Sequence, residues 1–242
     1  MPYSMMGTYF DPTYLLVIIG AVICLIAQAR VKSTFNTYSK VASKSGMTGA
    51  EAAVRMLHSA GITNVKIAQV AGNLTDYYDP RSKTVYLSDA VYNRNSVAAV
   101  GVACHECGHA IQDAEDYGFM RFRASLVPVA NIGSSLAWPL IIIGIVIGGI
   151  GNYGTIGYYA IQIGIILFSA AVLFQIVTLP VEIDASGRAL KAIERNGILS
   201  DDEKKLTHKV LKAAAYTYIA SAAAAILQLL RLILLFGGRR RD

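Results

Sequence analysis

The sequence is poor in cysteine. It contains three, an odd number: Cys24 lies in an apolar run, and Cys104 and Cys107 stand about one helical turn apart. This set provides no disulfide framework, which fits a protein whose polar parts face a reducing compartment. The C-x-x-C spacing alone would also suit a redox or zinc-binding pair. The residues around the two cysteines therefore decide how they are interpreted.

Charged residues are also scarce. They make up 16% of the chain against 54% hydrophobic residues, and the mean hydropathy is +0.45. Four apolar runs cover residues 14–29, 126–151, 157–179 and 213–236. A helix needs about 20 apolar residues to cross the hydrocarbon core of a bilayer. The composition argues against an ordinary soluble domain and predicts about four apolar membrane helices.

No lysine or arginine precedes the first apolar run. Asp11 stands before this run, and Arg30 and Lys32 follow it. Residues 27–29 resemble a signal-peptidase site, but a cleaved signal needs basic residues on its N-terminal side. We therefore expect an uncleaved anchor in a multi-pass membrane protein, with the N-terminus outside.

Basic residues are concentrated in two segments. Of the 22 lysines and arginines, eleven fall in residues 30–125 and seven in residues 180–212, whereas the turn at 151–156 has none. Because basic residues favour the cytoplasmic side, we expect both segments in the cytoplasm and Asn152 outside. The net charge of +6 follows from this distribution and from contact with anionic lipid. No nucleic-acid-binding motif is present, so nucleic acid is not an expected partner.

The last apolar run disagrees with this charge rule. If residues 213–236 crossed the membrane fully, the cluster Arg239–Arg241 would lie outside, and Arg231 would fall near the outer end. The side of the C-terminus therefore stays open at this point.

These patterns divide the chain into five segments. They are a membrane anchor (1–29), a cytoplasmic α+β unit (30–125), a transmembrane hairpin (126–179), a second cytoplasmic segment (180–212), and a C-terminal apolar helix with a basic tail (213–242).

Local signals place short elements in the first cytoplasmic unit. Thr48 and Glu51 form a capping box that opens a helix to about Ser59, and strand-like runs follow at 65–70 and 84–87. The second run is either an edge strand that pairs with an extended substrate or a packing strand. Residues 76–83 between them read as a turn, so the carboxylates of Asp76 and Asp79 are interpreted as turn residues rather than metal ligands.

The segment 105–109 carries the clearest functional signal. It reads His-Glu-Cys-Gly-His within residues of helical apolar spacing, in a chain with only four histidines. Residues four apart lie on one helix face, so His105 and His109 can bind one metal ion. Glu106 is offset by one position and can take a proton from a water molecule that the metal acidifies. This is the layout of a zinc hydrolase, whereas a pair of surface histidines is the alternative.

The same helix decides how the cysteines are interpreted. Cys104 and Cys107 lie about 60° apart around the helix and face largely away from the two histidines. We interpret them as small packing side chains.

A catalytic zinc site usually has three protein ligands. His58 and His208 are interpreted as solvated or helix-end residues, because each lies in an amphipathic or charged stretch. Glu182 differs, since it follows Pro180 at the end of an apolar run, where a lone carboxylate needs a partner. Zinc is one such partner, and a helix N-terminus is the alternative.

The chain resembles the YugP-type neutral zinc metallopeptidases, membrane proteins distantly similar to the HtpX and CAAX-prenyl-protease gluzincins. The resemblance is nearly full length. Its pieces lie at residues 29–35, 74–80, 105–112, 126–134, 178–182, 185–186 and 213–218.

The resemblance implies one Zn²⁺ per chain, held by His105, His109 and Glu182, with Glu106 catalytic. It implies a membrane α-helical protein with a small cytoplasmic α+β gluzincin-like zinc-protease unit, acting on peptide or membrane-protein substrates. The related gluzincins have an Asp four residues after the ligand Glu, where this chain has Ser186. Asp184 is therefore a second-shell candidate to orient a ligand histidine.

Several points stay open at the sequence level. Tyr216, Tyr218, His208 and Arg188 are candidates to stabilise an oxyanion. A noncatalytic zinc-stabilised membrane scaffold or interaction protein is the alternative function, although it would not need Glu106. A metal transporter is disfavoured because residues 126–151 and 157–179 contain no acidic, basic or histidine side chain. The oligomeric state is not indicated.

Overall fold

A computed structural model describes residues 11–149 and 154–237. In this part of the chain the protein is mostly helical, with one small sheet. The elements are α1 (Tyr14–Tyr38), α2 (Gly49–Ser59), β1 (Lys66–Val70), β2 (Tyr77–Asp79), β3 (Thr84–Ser88), α3 (Val97–Ala114), α4 (Gly118–Gly148), α5 (Gly154–Arg195) and α6 (Asp201–Phe236).

The four longest helices are long and apolar enough to cross a membrane. They are α1, α4, α5 and α6, with 25, 31, 42 and 36 residues. α1, α5 and α6 each contain one predicted apolar run, and α4 contains residues 126–148 of the second run. The prediction of about four apolar helices is confirmed at this level. Each helix also extends well beyond its apolar run, so the predicted boundaries after residues 29, 125, 179 and 212 mark changes of polarity along continuous helices. Asn152 and Arg239–Arg241 lie outside the described residues.

Contacts divide the chain into two units. We call residues 26–127 and 174–219 the mixed unit, because it contains the sheet. The other is the helical unit, whose described part comprises residues 11–25, 128–149, 154–173 and 220–237.

In the mixed unit, α2 begins where the capping box predicts. Thr48 is its N-cap, its hydroxyl accepts from the Glu51 N–H, and the Glu51 side chain accepts from the Thr48 N–H. Two orphan backbone donors are thus satisfied at the start of the helix. The apolar face of α2 is buried through Met56 and Leu57 in the core that also surrounds α3.

The sheet has the order β1-β3-β2. β1 runs parallel to β3 and β2 runs antiparallel to it. β3 is therefore a central strand, with Val85 and Leu87 fully buried, which favours packing over the edge role. The free edges belong to β1 and β2. β2 lies inside the residues predicted as a turn, because a three-residue strand next to Asp79 and Pro80 gives no periodicity to detect.

Two glycines allow other helices to approach α3 closely. A Cβ atom at Gly101 would lie 2.6 Å from Thr207 Cγ2 on α6, and one at Gly108 would lie 2.5 Å from the Ala185 carbonyl oxygen on α5. The start of α3 is fixed by Ser96, whose hydroxyl accepts from the Ala99 N–H. α3 is thus enclosed by α2, α5 and α6.

In the helical unit, small residues line the helix contacts, as is common for helices in a bilayer. A Cβ at Gly144 would lie 2.7 Å from the Gly157 carbonyl oxygen, so α4 and α5 meet at backbone distance. Arg231 on α6 lies beside the start of α1. Its guanidinium donates to Thr13 at 3.2 Å, lies 3.5 Å from the Asp11 carboxylate, and stacks 4.1 Å above the Tyr14 ring.

Candidate metal centre and active site

The two histidines of the motif project from α3 towards α5. They are four residues apart, and their ring centroids are 4.8 Å apart at an interplanar angle of 83°. His105 Nε2 lies 3.3 Å from Glu182 Oε2, and His109 Nε2 lies 3.5 Å from the same oxygen. One possible ligand atom from each of the three side chains lies within 4.8 Å of the other two. The three side chains therefore converge on one point.

Glu182 reaches this point from within a continuous helix. α5 runs from Gly154 past Pro180 to Arg195, so Glu182 is not in a first helical turn and the N-terminal alternative does not hold. The side chain of Glu182 is buried, with 3% of the residue exposed. Glu182 lies one helical turn before Ala185, whose backbone packs against Gly108 on α3. This close approach of α5 to α3 buries the Glu182 side chain.

The donor set fits a divalent cation. Within residues 11–149 and 154–237, Glu182 Oε2 is the one buried side-chain nitrogen or oxygen atom without a hydrogen-bond partner, although two imidazole nitrogens are close to it. Burial opposes a charged imidazolium, yet the Glu182 carboxylate still raises the pKa of His109 above its ordinary value. The site thus favours a positive charge between the three side chains. Two imidazoles and one carboxylate are a typical ligand set of catalytic zinc.

Glu106 lies on the same turn of α3 but outside this ligand group. It is 8% exposed. Burial raises the pKa of its carboxyl, while the imidazoles of His105 and His109 partly oppose that rise. A carboxylate whose pKa is raised is a stronger base than an ordinary glutamate, which suits proton transfer near neutral pH.

The outer nitrogens of both imidazoles also have partners. His105 Nδ1 lies 3.1 Å from the Ser186 hydroxyl, and His109 Nδ1 lies 3.0 Å from Gln112 Oε1. Asp184, which the sequence suggested as a partner of a histidine, contacts Gln112 instead, at 2.8 Å from its Nε2. The role of Gln112 is not visible in the sequence, because it depends on the three-dimensional approach of α5 to α3.

The four candidates for oxyanion stabilisation occupy different environments. Tyr218 is half-buried beside Glu182 and Glu106. Tyr216 is exposed near Arg30 and Lys212.

The other two candidates make contacts elsewhere or face solvent. His208 is exposed on α6. Arg188 pairs with Asp184 and Glu115. Arg123 on α4 was missed by the sequence reasoning, and its guanidinium lies 3.9 Å from Glu182 Oε1.

The remaining polar candidates have structural contacts. Asp76 accepts from the backbone N–H and the hydroxyl of Ser88, at 2.7 and 3.0 Å. Asp79 caps its own turn by accepting from the Arg81 N–H and from Ser82. The contacts of Asp79 are the turn chemistry that the sequence indicates, whereas Asp76, the residue before β2, is joined to the end of β3.

The other histidine and the cysteine pair are accounted for without a ligand role. His58 is exposed on α2. Cys104 and Cys107 are fully buried in the core, in keeping with their interpretation as packing residues.

Residues 13–237 match the model of a protein family described as "putative neutral zinc metallopeptidase". The chain therefore belongs to this family of zinc metallopeptidases. It is also 45% identical, over 210 residues, to a protein of Bacillus subtilis (strain 168) described as "Putative membrane protease YugP". That alignment covers 87% of this chain and 90% of the relative. No solved structure shows significant similarity to the chain.

Proposed function

We propose that the protein is a membrane-embedded zinc-dependent endopeptidase that hydrolyses peptide bonds at the cytoplasmic membrane surface. The observation that carries this proposal is the convergence of His105, His109 and Glu182 on one buried point, with an acceptor oxygen of Glu182 left unpaired. Glu106 stands next to this group as a buried carboxylate that is not one of the three. Three ligands plus a separate base is the composition of a hydrolytic zinc site.

Each side chain has a distinct role in this mechanism. His105, His109 and Glu182 hold one Zn²⁺. A zinc ion bound there would supply Lewis-acid chemistry, polarising the scissile carbonyl and lowering the pKa of water towards about 7. Glu106 first acts as a general base and accepts the proton of the attacking water. It then acts as a general acid and passes this proton to the leaving amine.

Tyr218 and Arg123 are our candidates to stabilise the negative charge that develops on the carbonyl oxygen. Tyr218 carries a hydrogen-bond donor beside Glu182 and Glu106. Arg123 brings a positive charge within 3.9 Å of Glu182 Oε1, and a third of its side chain is exposed, so it can also meet a substrate. Donors aimed at a developing oxyanion typically contribute about 10²–10³ in rate.

The surroundings of the site support a peptide or membrane-protein substrate and a gluzincin-like arrangement. The ligands come from α3, which precedes the predicted hairpin, and from α5, just beyond an apolar run. Most basic residues flank these segments, which favours a cytoplasmic site. The bilayer itself is then a partner of the enzyme.

A zinc-stabilised scaffold is the second candidate function. It shares the three-ligand group but has no use for Glu106. A carboxylate with 8% exposure beside another buried carboxylate costs folding energy. A noncatalytic scaffold gives no reason to keep this costly pair of buried carboxylates. Glu106 therefore distinguishes the two functions.

The decisive experiment compares Glu106→Gln with Glu182→Gln. The first variant should keep zinc and lose at least about 10² in cleavage rate, because it removes the base but no ligand. The second should lose both zinc and activity. Zinc content is paired with cleavage of an unfolded membrane protein in detergent, and Glu194→Gln on the surface of α5 is the matched control.

Cleavage at the wild-type rate by Glu106→Gln would eliminate this mechanism. Zinc binding without cleavage by any form would favour the scaffold.

A further inference from the structure

We infer that Gln112 is a positioning residue that fixes His109 with its proton on Nδ1, so that the Nε2 lone pair faces the metal position. The inference rests on the proposed zinc site and assigns the group that orients one of its ligands. Gln112 lies three residues after His109 on α3 and is fully buried.

The orientation of the Gln112 amide is set by its neighbours. Its Nε2 donates to the Val181 carbonyl oxygen at 2.8 Å and to the Asp184 carboxylate at 2.8 Å. A carboxamide nitrogen has two protons, and both partners can only accept. Rotating the amide by 180° would place an oxygen against two acceptors, so the observed orientation is the one that satisfies every atom.

This orientation dictates the protonation of His109. The Gln112 Oε1 atom faces His109 Nδ1 at 3.0 Å and can only accept. A hydrogen bond therefore requires the proton on Nδ1. The neutral imidazole then carries its lone pair on Nε2, the atom that lies 3.5 Å from Glu182 Oε2. Partners of this kind fix ligand tautomers in other metal sites.

Asp184 acts on the histidine through Gln112. Its carboxylate is held by the Arg188 guanidinium at 2.5 Å, and Arg188 also pairs with Glu115. The Asp184 carboxylate is thus the acceptor in its contacts with both Gln112 and Arg188. The chain of contacts thus runs from an arginine through a carboxylate and an amide to one imidazole.

His105 has no such one-way partner. Its Nδ1 lies 3.1 Å from the Ser186 hydroxyl, which can either donate or accept. Ser186 therefore supports the ring without selecting a tautomer. This difference between the two histidines predicts that Gln112 matters more than Ser186 for metal affinity.

The test compares Gln112→Met, which keeps length but removes both polar atoms, with Ser186→Ala. Zinc affinity is measured by chelator competition on metal-free protein. The tautomer of His109 is measured by ¹⁵N NMR of histidine-labelled metal-free protein at alkaline pH, in a Glu182→Ala background that removes the competing acceptor at Nε2, with His109→Ala used to assign the signal. Gln69→Met makes the same side-chain change at an exposed position and is the matched control.

Gln112→Met should weaken zinc binding about 10–100-fold, and the His109 ring should change from one Nδ1-protonated form to a mixture. Ser186→Ala should weaken zinc binding less. An unchanged His109 tautomer in Gln112→Met would overturn the inference, whatever happens to thermal stability. If the wild type bound no zinc, the proposed function would fail. The effect of Gln112→Met on the His109 tautomer would still test the role of Gln112.

Discussion

Gly108 lies directly against the backbone of Ala185. A Cβ atom at Gly108 would be 2.5 Å from the Ala185 carbonyl oxygen and 3.0 Å from its carbonyl carbon. Ala185 is three residues from Glu182, so this contact sets how closely the third ligand approaches the two histidines. The glycine inside the H-E-x-x-H motif is thus required by packing.

Gly108→Ala is therefore expected to push α5 away from α3. The variant should lose most of its zinc, and its unfolding free energy should fall by about 1–3 kcal/mol, as for other overpacked cores. Zinc content and thermal unfolding in detergent measure both effects.

Gly187→Ala is the matched control, because nothing lies within 4 Å of a Cβ at Gly187. It should keep its zinc and gain stability from better helix propensity. Equal zinc content in the two alanine variants would contradict the packing argument.

Purified protein should carry about one zinc ion per chain, as a site with three protein ligands requires. His109→Ala removes one of the three converging groups and should lose most of the metal. His58→Ala removes an exposed histidine and should keep it. Elemental analysis measures the zinc content of each variant. Stoichiometric zinc in His109→Ala would show that the ligand set is wrong.

Asp76 provides a prediction on pH. Burial raises the pKa of its carboxyl, although the hydrogen bonds from Ser88 oppose that rise. Because the pKa is higher in the folded than in the unfolded state, stability is greatest below the unfolded pKa of about 4 and is lost as pH rises through the folded pKa. Asp76→Asn cannot ionise and can keep both contacts to Ser88. It should therefore become more stable relative to wild type as pH rises above about 4.

Asp76→Ala should instead be less stable at every pH by about 1–3 kcal/mol, because the buried Ser88 N–H loses its acceptor. Thermal unfolding from pH 4 to pH 8 measures these differences. Loss of zinc from Asp76→Asn would argue for a metal ligand and against the turn role.

The pairing of Arg231 with Asp11 makes a prediction on topology. Arg231 is near the end of α6 and Asp11 precedes α1, so these two helix ends lie on the same face of the helical unit. Reporters fused before Met1 and after Asp242 should therefore give the same side.

The proposed cytoplasmic placement of the site makes a second prediction on topology. A cysteine introduced at the exposed Asn64 should react with an impermeant reagent only after the membrane is opened. Labelling of Asn64 from outside intact cells would overturn the cytoplasmic placement of the site.

Features that depend on neighbouring residues were predictable from the sequence. The capping box at Thr48, the apolar runs and the i, i+4 spacing of His105 and His109 are local patterns, and each reappears at its predicted place. Glu182 was indicated by the cost of a lone carboxylate at the end of an apolar run.

Features that depend on distant segments were not predictable. Gln112 has a partner 69 residues away in Val181, and Arg123 meets Glu182 through space. No periodicity or spacing reports such contacts. Asp184 was suggested to orient a ligand histidine, but the Gln112 amide that lies between the two side chains is visible only in the fold.

The order of the ligands along the chain has a consequence for biosynthesis. His105 and His109 are made before α4 and the apolar part of α5, and Glu182 is made after them. A nascent chain on the ribosome therefore displays two imidazoles and a carboxylate base but lacks the third metal ligand until the intervening hairpin has been synthesised and inserted. On the proposed mechanism, cleavage activity would therefore arise only in copies whose hairpin has been completed and whose Glu182 has joined the two histidines.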